Sequence, residues 1–390
     1  MSPQEASNAT LKVTSVQPPP QASRPETQDD DSDRATNGPP DTGWIRSTDL
    51  FRARKLSKAD RHKFLRDRSE DMCHDLGVGT KQRLSLFEET FSMFLYFLFP
   101  GCMLWVPLAL GAAIWSAYRY FPLSLQASFG GVLAVLCFWP LSHWPAATQT
   151  WLTPLLFRYT SSSTAWEAPL EESDGPYLLI APPHGVLPVG NIITMLSFPI
   201  LWGHSFKGLT TDAALRLPLM RHIMTWIGCQ SAASKEAMKS VKDGWSVGLC
   251  PGGVAEIFDS SNDNEVLFLR ARKGFVKLSL RMGTPMVPCY TFGNTKVFRS
   301  WHDPYGILRA LSRKLGFGAL LIWGRLFLPI ILRQPLMCVT GRPIVVPKPT
   351  GEPTQADIDK YHALFVTELR RIFDKYKGPY GWGDKELIIS

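Results

Sequence analysis

The 390-residue sequence has least charge in its middle, where Arg119 is the only charged side chain between Phe91 and Trp151. A stretch so long and so poor in charge is foreign to a water-facing surface. The apolar runs on either side of Arg119, roughly Phe91 to Ala117 and Pro122 to Trp144, are each long enough for about 20 residues of spanning helix. Cysteine is also sparse: the seven, at 73, 102, 137, 229, 250, 289 and 338, form no CxxC pair and no disulfide-like spacing. That excludes a disulfide scaffold and favours reduced thiols facing the cytosol. A charged start followed by an apolar core is missing from the N-terminus, and the acidic run Asp29-Asp30-Asp31 is unlike an organelle transit peptide. No zinc-finger, basic-zipper or RNA-binding signature accompanies the net charge of +8, so nucleic acid is set aside as a partner.

The basic excess lies on both sides of the uncharged stretch, as expected for attraction to an anionic membrane face. Residues 1–43 are rich in Pro, Ser, Gln and Asp and read as a disordered tail, because they cannot bury enough apolar area to offset chain entropy. Residues 44–90 read as a basic, helix-compatible segment along the cytosolic surface. Residues 91–151 read as a two-helix transmembrane hairpin turning at Tyr118-Arg119-Tyr120-Phe121-Pro122, with both ends held in the cytosol by flanking cations.

From residue 152 the texture becomes the βα rhythm of an α/β domain, a parallel or mixed sheet flanked by helices. The pattern predicts strands at Pro176–Ala181, Ser246–Cys250, Met286–Phe292 and Leu336–Thr340. Helices are expected near Asn191–Ile200, Ala213–Ile227, Lys235–Lys242, Lys273–Met282 and Gln355–Lys377. The last is the clearest, with Thr354 as cap and a stripe from Ile358 through Tyr376 ahead of Gly378. A further apolar stretch, Gly318–Leu332, is interrupted by Arg325 and Pro329 and is too short to span. It suits either a segment dipping into a membrane interface or a buried core element.

Three clusters carry chemistry. His184 follows Tyr177-Leu178-Leu179-Ile180 and should emerge at the C-terminal edge of a strand, where open α/β sheets hold ligands. Pro182 and Pro183 restrict its approach, and Gly185 permits a tight turn. An imidazole there suits a general base. The second cluster is Cys250-Pro251-Gly252-Gly253, whose glycines let backbone N–H groups approach a bound oxygen, with Glu256 following at once. If this turn lies beside His184, Glu256 can orient the imidazole, a task for which Asp212 and Asp243 compete. The third is Arg270, Arg272, Lys273 and Lys277, continued by Arg281. Cations at a helix start oppose its dipole and call for an anionic partner, such as the phosphates of coenzyme A; a solvated basic face or contact with lipid headgroups is equally compatible.

Two motifs are decoys. Gly244-Trp245-Ser246-Val247-Gly248 matches GxSxG, but the flanking pattern is helix then strand, the reverse of a nucleophile elbow. His62 to Asp67 fits an HxxxxD spacing, yet it is basic and follows no strand.

From Tyr177 onward the chain resembles the type-2 diacylglycerol acyltransferase family, which includes monoacylglycerol and wax-alcohol acyltransferases. The resemblance rests on the His184-Gly185 turn, the Gly252-Gly253...Glu256 turn, Arg272-Lys273-Gly274-Phe275-Val276-Lys277, Val287-Pro288 through Tyr290-Thr291-Phe292-Gly293, Gly341-Arg342-Pro343-Ile344 and Pro353-Thr354-Gln355. It implies a glycerolipid-acyltransferase-like fold, His184 as catalytic histidine and Glu256 as its acidic partner. Pro183, Gly185, Gly252, Gly253 and the basic cluster would bind substrate. The implied partners are acyl-CoA, diacylglycerol and membrane lipids, with endoplasmic reticulum and lipid-droplet residence; a homo-oligomer is compatible with it. Because a thioester is already activated, transfer to a hydroxyl calls for neither metal nor cofactor beyond acyl-CoA as co-substrate. One position departs from the family pattern: Pro182 stands where many members carry the first histidine of His-Pro-His-Gly.

Overall fold

Period-2 burial along the central strands organises the domain. In a computed structural model, Leu178 and Ile180 of β3 (Leu178–Ile180) face one apolar layer, while Leu179 and the following Ala181 face the other. The structure describes residues 42–68, 81–99, 101–148, 150–171, 174–253, 256, 264–301, 303, 305–315 and 321–390. The expected disordered tail, 1–43, lies outside these except for its last two residues.

The main sheet has eight strands in the order β1-β2-β11-β8-β3-β6-β4-β5. These are β1 (Gly43–Arg46), β2 (Ser163–Trp166), β3, β4 (Phe206–Thr210), β5 (Cys229–Ser231), β6 (Ser246–Leu249), β8 (Met286–Phe292) and β11 (Met337–Thr340). The run from β8 through β3, β6 and β4 to β5 is parallel throughout, so five C-terminal strand ends share one edge. β11 is antiparallel to β8, and β1 is antiparallel to β2. Two small two-stranded sheets pair β7 (Glu265–Leu267) with β12 (Leu387–Ile389), and β9 (Arg299–Ser300) with β10 (Ile322–Trp323).

Helices cover both faces. In chain order they include α1 (Ser47–Arg52), α2 (Lys58–Arg68), α3 (Leu86–Leu98), α4 (Cys102–Tyr120), α5 (Leu123–Phe138), α6 (Leu152–Tyr159), α7 (Val189–Trp202), α8 (Met220–Trp226), α9 (Ser234–Lys242), α10 (Gly274–Met282), α11 (Ile307–Leu315) and α12 (Gln355–Tyr380). α12 starts where the Thr354 hydroxyl accepts a hydrogen bond from the Asp357 N–H at 3.1 Å. Its stripe of Ile358, Phe365, Leu369, Ile372, Phe373 and Tyr376 is buried, with Phe373 against Tyr290 and Phe292 of β8 at ring-centroid distances of 5.2 and 5.6 Å. The helix runs past Gly378 and stops at Gly381, whose φ of +91° suits a C-terminal cap. The region expected as one helix over 213–227 breaks at Leu217-Pro218, and α8 starts after Leu219, which has a φ of +64°.

The expected transmembrane hairpin over 91–151 is overturned: no helix among the described residues is long and apolar enough to cross a membrane. The first apolar run is cut at Phe99 and Gly101 into α3 and α4. Gly101 sits so close to the preceding turn that a Cβ there would meet the Phe97 carbonyl oxygen at 2.2 Å. α3 is docked on the sheet domain instead. Tyr96 is buried and donates to the Leu156 carbonyl at 3.2 Å, Glu88 pairs with Arg158, and Glu89 pairs with Arg325 and Arg333. The second run forms only the 16-residue α5, which at ~1.5 Å per residue falls short of a hydrocarbon core of ~30 Å. α4 has 19 residues but includes Pro107 and ends in Tyr118-Arg119-Tyr120. Both helices nevertheless expose large apolar side chains, among them Leu108, Trp115, Leu123 and Phe138.

The segment expected as a separate basic piece, 44–90, also contributes to the sheet domain. β1 pairs with β2, and Trp44, Ile45 and Leu50 are buried. The described residues, from Thr42 onward, belong to one compact unit.

Candidate active site

The shared C-terminal edge of β3, β6 and β8 brings together His184, the Cys250–Gly253 turn and Asn294. After β3 the chain passes through a cis Pro182-Pro183 bond into His184 and Gly185. The Pro182 carbonyl accepts from the Thr291 N–H of β8 at 3.2 Å, tying the turn to its neighbouring strand. His184 is half-buried, and Nδ1 lies 2.8 Å from the Gly185 carbonyl oxygen. A carbonyl only accepts, so the neutral imidazole carries its hydrogen on Nδ1 and leaves the Nε2 lone pair available. Burial lowers the imidazole pKa from its ordinary value, partly opposed by that bond to Gly185. The ring is therefore poised to be neutral at pH 7.

Glu256 reaches this turn, but at a different atom from the one expected. Its Oε2 accepts from the His184 backbone N–H at 2.7 Å, and the imidazole is oriented by Gly185. The carboxyl is 3% exposed, and its pKa is pushed up to about 7, first by burial, with the buried Glu265 adding to the rise against the main-chain donors of His184 and Phe268 and the charge of Arg272. Gly252 makes room for it: a Cβ there would fall 1.8 Å from Glu256 Oε1. Gly253 adopts a φ of +56°. Burial first, and then the neighbouring Glu256 charge, hold the Cys250 thiol well above its ordinary pKa.

Asn294, which the sequence patterns did not single out, has the most contacts to the turn. It is fully buried, with Nδ2 donating to the carbonyls of Pro183 at 3.1 Å and His184 at 2.9 Å, and Oδ1 accepting from the Gly190 N–H at 3.0 Å. Gly185, at a φ of +57°, packs so tightly that a Cβ would lie 2.9 Å from the Asn294 carbonyl oxygen. The available signal was its position directly after β8 and Gly293, at the same sheet edge as His184.

The basic cluster divides. Lys273 pairs with Asp359 at 2.7 Å, while Lys277 and Arg281 approach Glu352 at 3.8 and 2.8 Å. Arg270 and Arg272 are exposed, and among the described residues no carboxylate forms an ion pair with either. Arg272 and Lys273 line the same cavity as His184, Cys250 and Gly253.

That cavity has a volume of about 1740 Å³ and continues past His184 among Leu156, Ile192, Ile193, Met195, Met220 and Ile322. It exceeds the ~300–1,000 Å³ of sites for drug-sized ligands. Apart from Arg216, Arg272 and Lys273, its walls are dominated by apolar side chains.

A family model described as diacylglycerol acyltransferase matches residues 165–390, more than half of the chain. The chain belongs to the diacylglycerol acyltransferase family. The match bears out the resemblance read from the motifs, and among relatives, diacylglycerol O-acyltransferase 1 of Eremothecium gossypii is 31% identical over 302 residues, covering 71% of this chain and 64% of that protein. Diacylglycerol O-acyltransferase 2 of Danio rerio is 32% identical, covering 53% and 62%. Acyl-CoA wax alcohol acyltransferase 1 of Homo sapiens is 29% identical, covering 55% and 70%. The chain thus spans under two thirds of the length of the first two relatives. A 1-acyl-sn-glycerophosphate acyltransferase from Thermotoga maritima, of known structure, shares 13% identity at a TM-score of 0.36 over 74% of this chain and 98% of that one, a likeness that carries no argument. Within this diacylglycerol acyltransferase family domain, Ser246 of the GxSxG match is buried at the start of β6, its hydroxyl accepting from the Tyr177 N–H at 3.0 Å.

Proposed function

We propose that the protein is an acyl-CoA-dependent O-acyltransferase that makes triacylglycerol from diacylglycerol, with His184 as general base. The observation that carries this reading is the Nδ1 contact to Gly185, which leaves Nε2 unprotonated in a large apolar cavity. The acceptor hydroxyl gives its proton to Nε2 as its oxygen attacks the thioester carbonyl. The tetrahedral intermediate then expels the coenzyme A thiolate, which takes the proton back from the imidazolium. General-base assistance of this kind contributes roughly 10²- to 10⁴-fold.

Glu256 and Asn294 hold the His184 main chain, so the ring stays in one place while its charge changes. Arg272 on the cavity wall and its neighbour Arg270 would hold coenzyme A phosphates, with Lys273 and Lys277 contributing after release from their acidic partners. The volume and apolar walls favour a neutral glyceride acceptor. We place the protein on the cytosolic face of the endoplasmic reticulum and on lipid droplets, with the exposed apolar sides of α4 and α5 lying in the interface.

Radiolabelled acyl-CoA and dioleoylglycerol, supplied to membranes holding the full chain, test this reading. Labelled triacylglycerol should form, His184→Ala should lower its rate by roughly 10²- to 10⁴-fold, and Pro182→His should retain much of it. Free fatty acid as main product would mark a hydrolase, and no product with any of monoacylglycerol, a long-chain alcohol, a sterol or diacylglycerol would mark a lipid-binding protein. Product with an acceptor other than diacylglycerol would reassign the acceptor.

A further inference from the structure

The paired strands β9 and β10 lie at the cavity and mark its mouth. Trp301 donates its main-chain N–H to the Leu321 carbonyl at 2.8 Å beside that pair. Both residues line the cavity and are also exposed, Leu321 by 58%. Beyond β10 comes a tight loop, Arg325–Leu328, with bonds from the Arg325 N–H to the Ile330 carbonyl at 2.8 Å and from the Gly324 N–H to the Leu328 carbonyl at 2.9 Å.

The side chains of this loop are arranged against the usual rule for a water-facing turn. Arg325 reaches Glu89 on α3, which also meets Arg333 at 3.5 Å. Leu326 and Phe327 project outward, exposed by 68% and 84%. Their φ values of +56° and +58° lie in the left-handed region, which bulky residues rarely adopt and which persists where the surroundings impose it. Between β9 and β10 in the chain, Tyr305 and, one turn apart on α11, Ile307 and Leu311 are exposed as well. An apolar tip on an ion-paired base, flanked in the chain by Trp323 and Pro329 of the apolar cavity wall, matches the hydrocarbon boundary of a membrane with its lipid.

We propose that the Arg325–Leu328 loop inserts Leu326 and Phe327 into the surface of a phospholipid bilayer, and that the mouth beside it is the port through which the neutral acceptor lipid reaches His184. The docking stands on the loop alone, whereas the lipid that passes rests on the acyl-transfer reading. The docking loop lies in the chain between Trp323 and Pro329, which line the cavity, so membrane contact and substrate delivery are one event.

The test uses the double variant Leu326→Asn/Phe327→Asn in the full chain, because asparagine tolerates the left-handed backbone and removes only the apolar tip. Phosphatidylcholine vesicles containing dioleoylglycerol are compared with detergent micelles containing dioctanoylglycerol. The vesicle rate and the vesicle partition coefficient should each fall about tenfold or more, the micelle rate should stay within about twofold, and Phe327→Trp should keep the vesicle rate, tryptophan being at home at membrane interfaces. Equal loss in both assays, or no loss in either, overturns the proposal. So does a dimer that dissociates in the variant while vesicle partition is unchanged, which would make the loop a contact between copies. If the parent transfers no acyl group in either assay, the acyl-transfer reading fails and the partition measurement alone decides the docking: a fall supports it, no change rejects it.

Discussion

The His184 turn and the basic segment from Arg270 to Arg281, of which Arg272 and Lys273 line the same cavity, are held in opposite ways. At the turn, the Pro183 and His184 carbonyls, the His184 N–H and Nδ1 all have partners inside the protein. In the basic segment the side chains reach outward, and Lys273, Lys277 and Arg281 are engaged by Asp359 and Glu352. A base must be fixed to within a fraction of an ångström to act, whereas charges that attract a phosphate work from mobile side chains. The difference separates positions where one substitution should stop the reaction from positions where it should only weaken binding.

The largest effect should come from the base. His184→Ala should lower kcat for acyl transfer by roughly 10²- to 10⁴-fold, with KM for acyl-CoA little changed, as measured from initial rates of labelled ester formation. Asn294→Ala should come next, because it strands two carbonyls and one N–H in the interior. At about 1–3 kcal/mol for a stranded buried group, it should lower Tm by several degrees and kcat at least tenfold. Full activity at unchanged Tm would remove Asn294 from the positioning of the turn.

Glu256 gives an effect of intermediate size with a definite sign. Its folded pKa is raised from 4.5 to about 7, so the folded state binds the proton more tightly than the unfolded chain. The associated stability is fully present below about pH 4.5 and is lost as pH rises to about 7, on the order of 3 kcal/mol at most. Glu256→Gln keeps an acceptor for the His184 N–H and cannot ionise, so the decline of Tm across that window should flatten; an unaltered slope would place the titration elsewhere. The smallest effects belong to the basic segment. Arg272→Ala should raise KM for acyl-CoA about tenfold at constant kcat, and Lys277→Ala should raise it less, since Lys277 already has an acidic neighbour. A fall in kcat with Arg272→Ala would instead link Arg272 to the His184 turn through Glu256.

The same contrast explains what the sequence made legible. The strand ahead of His184, the full extent of β8 and the start of α12 follow from local alternation, stripe and cap, and the structure places them within a few residues of expectation. That Glu256 comes to His184 was readable from two strand-turn motifs on one sheet edge. Its choice of backbone N–H over imidazole was not, because that depends on Gly252 leaving space and on how the chain folds over it. Asn294 was hidden for the same reason, since its partners lie more than a hundred positions away. The run from Phe91 to Trp151 misled because absence of charge does not distinguish a helix that crosses a bilayer from one docked on the protein with an apolar side exposed. The break between α3 and α4 and the ion pairs of Glu88 and Glu89 decide between them, and only the folded chain displays those.

The claim on which the rest depends is that Nδ1 of His184 carries the hydrogen and Nε2 is the free base. Imidazole nitrogen NMR of the full chain at neutral pH, with the His184 signals assigned by their loss in His184→Gln, measures this directly. A protonated, pyrrole-like Nδ1 and an unprotonated Nε2, converting to imidazolium only below the ordinary histidine range, is the predicted result. A hydrogen on Nε2, or an imidazolium persisting at pH 7, would contradict the account.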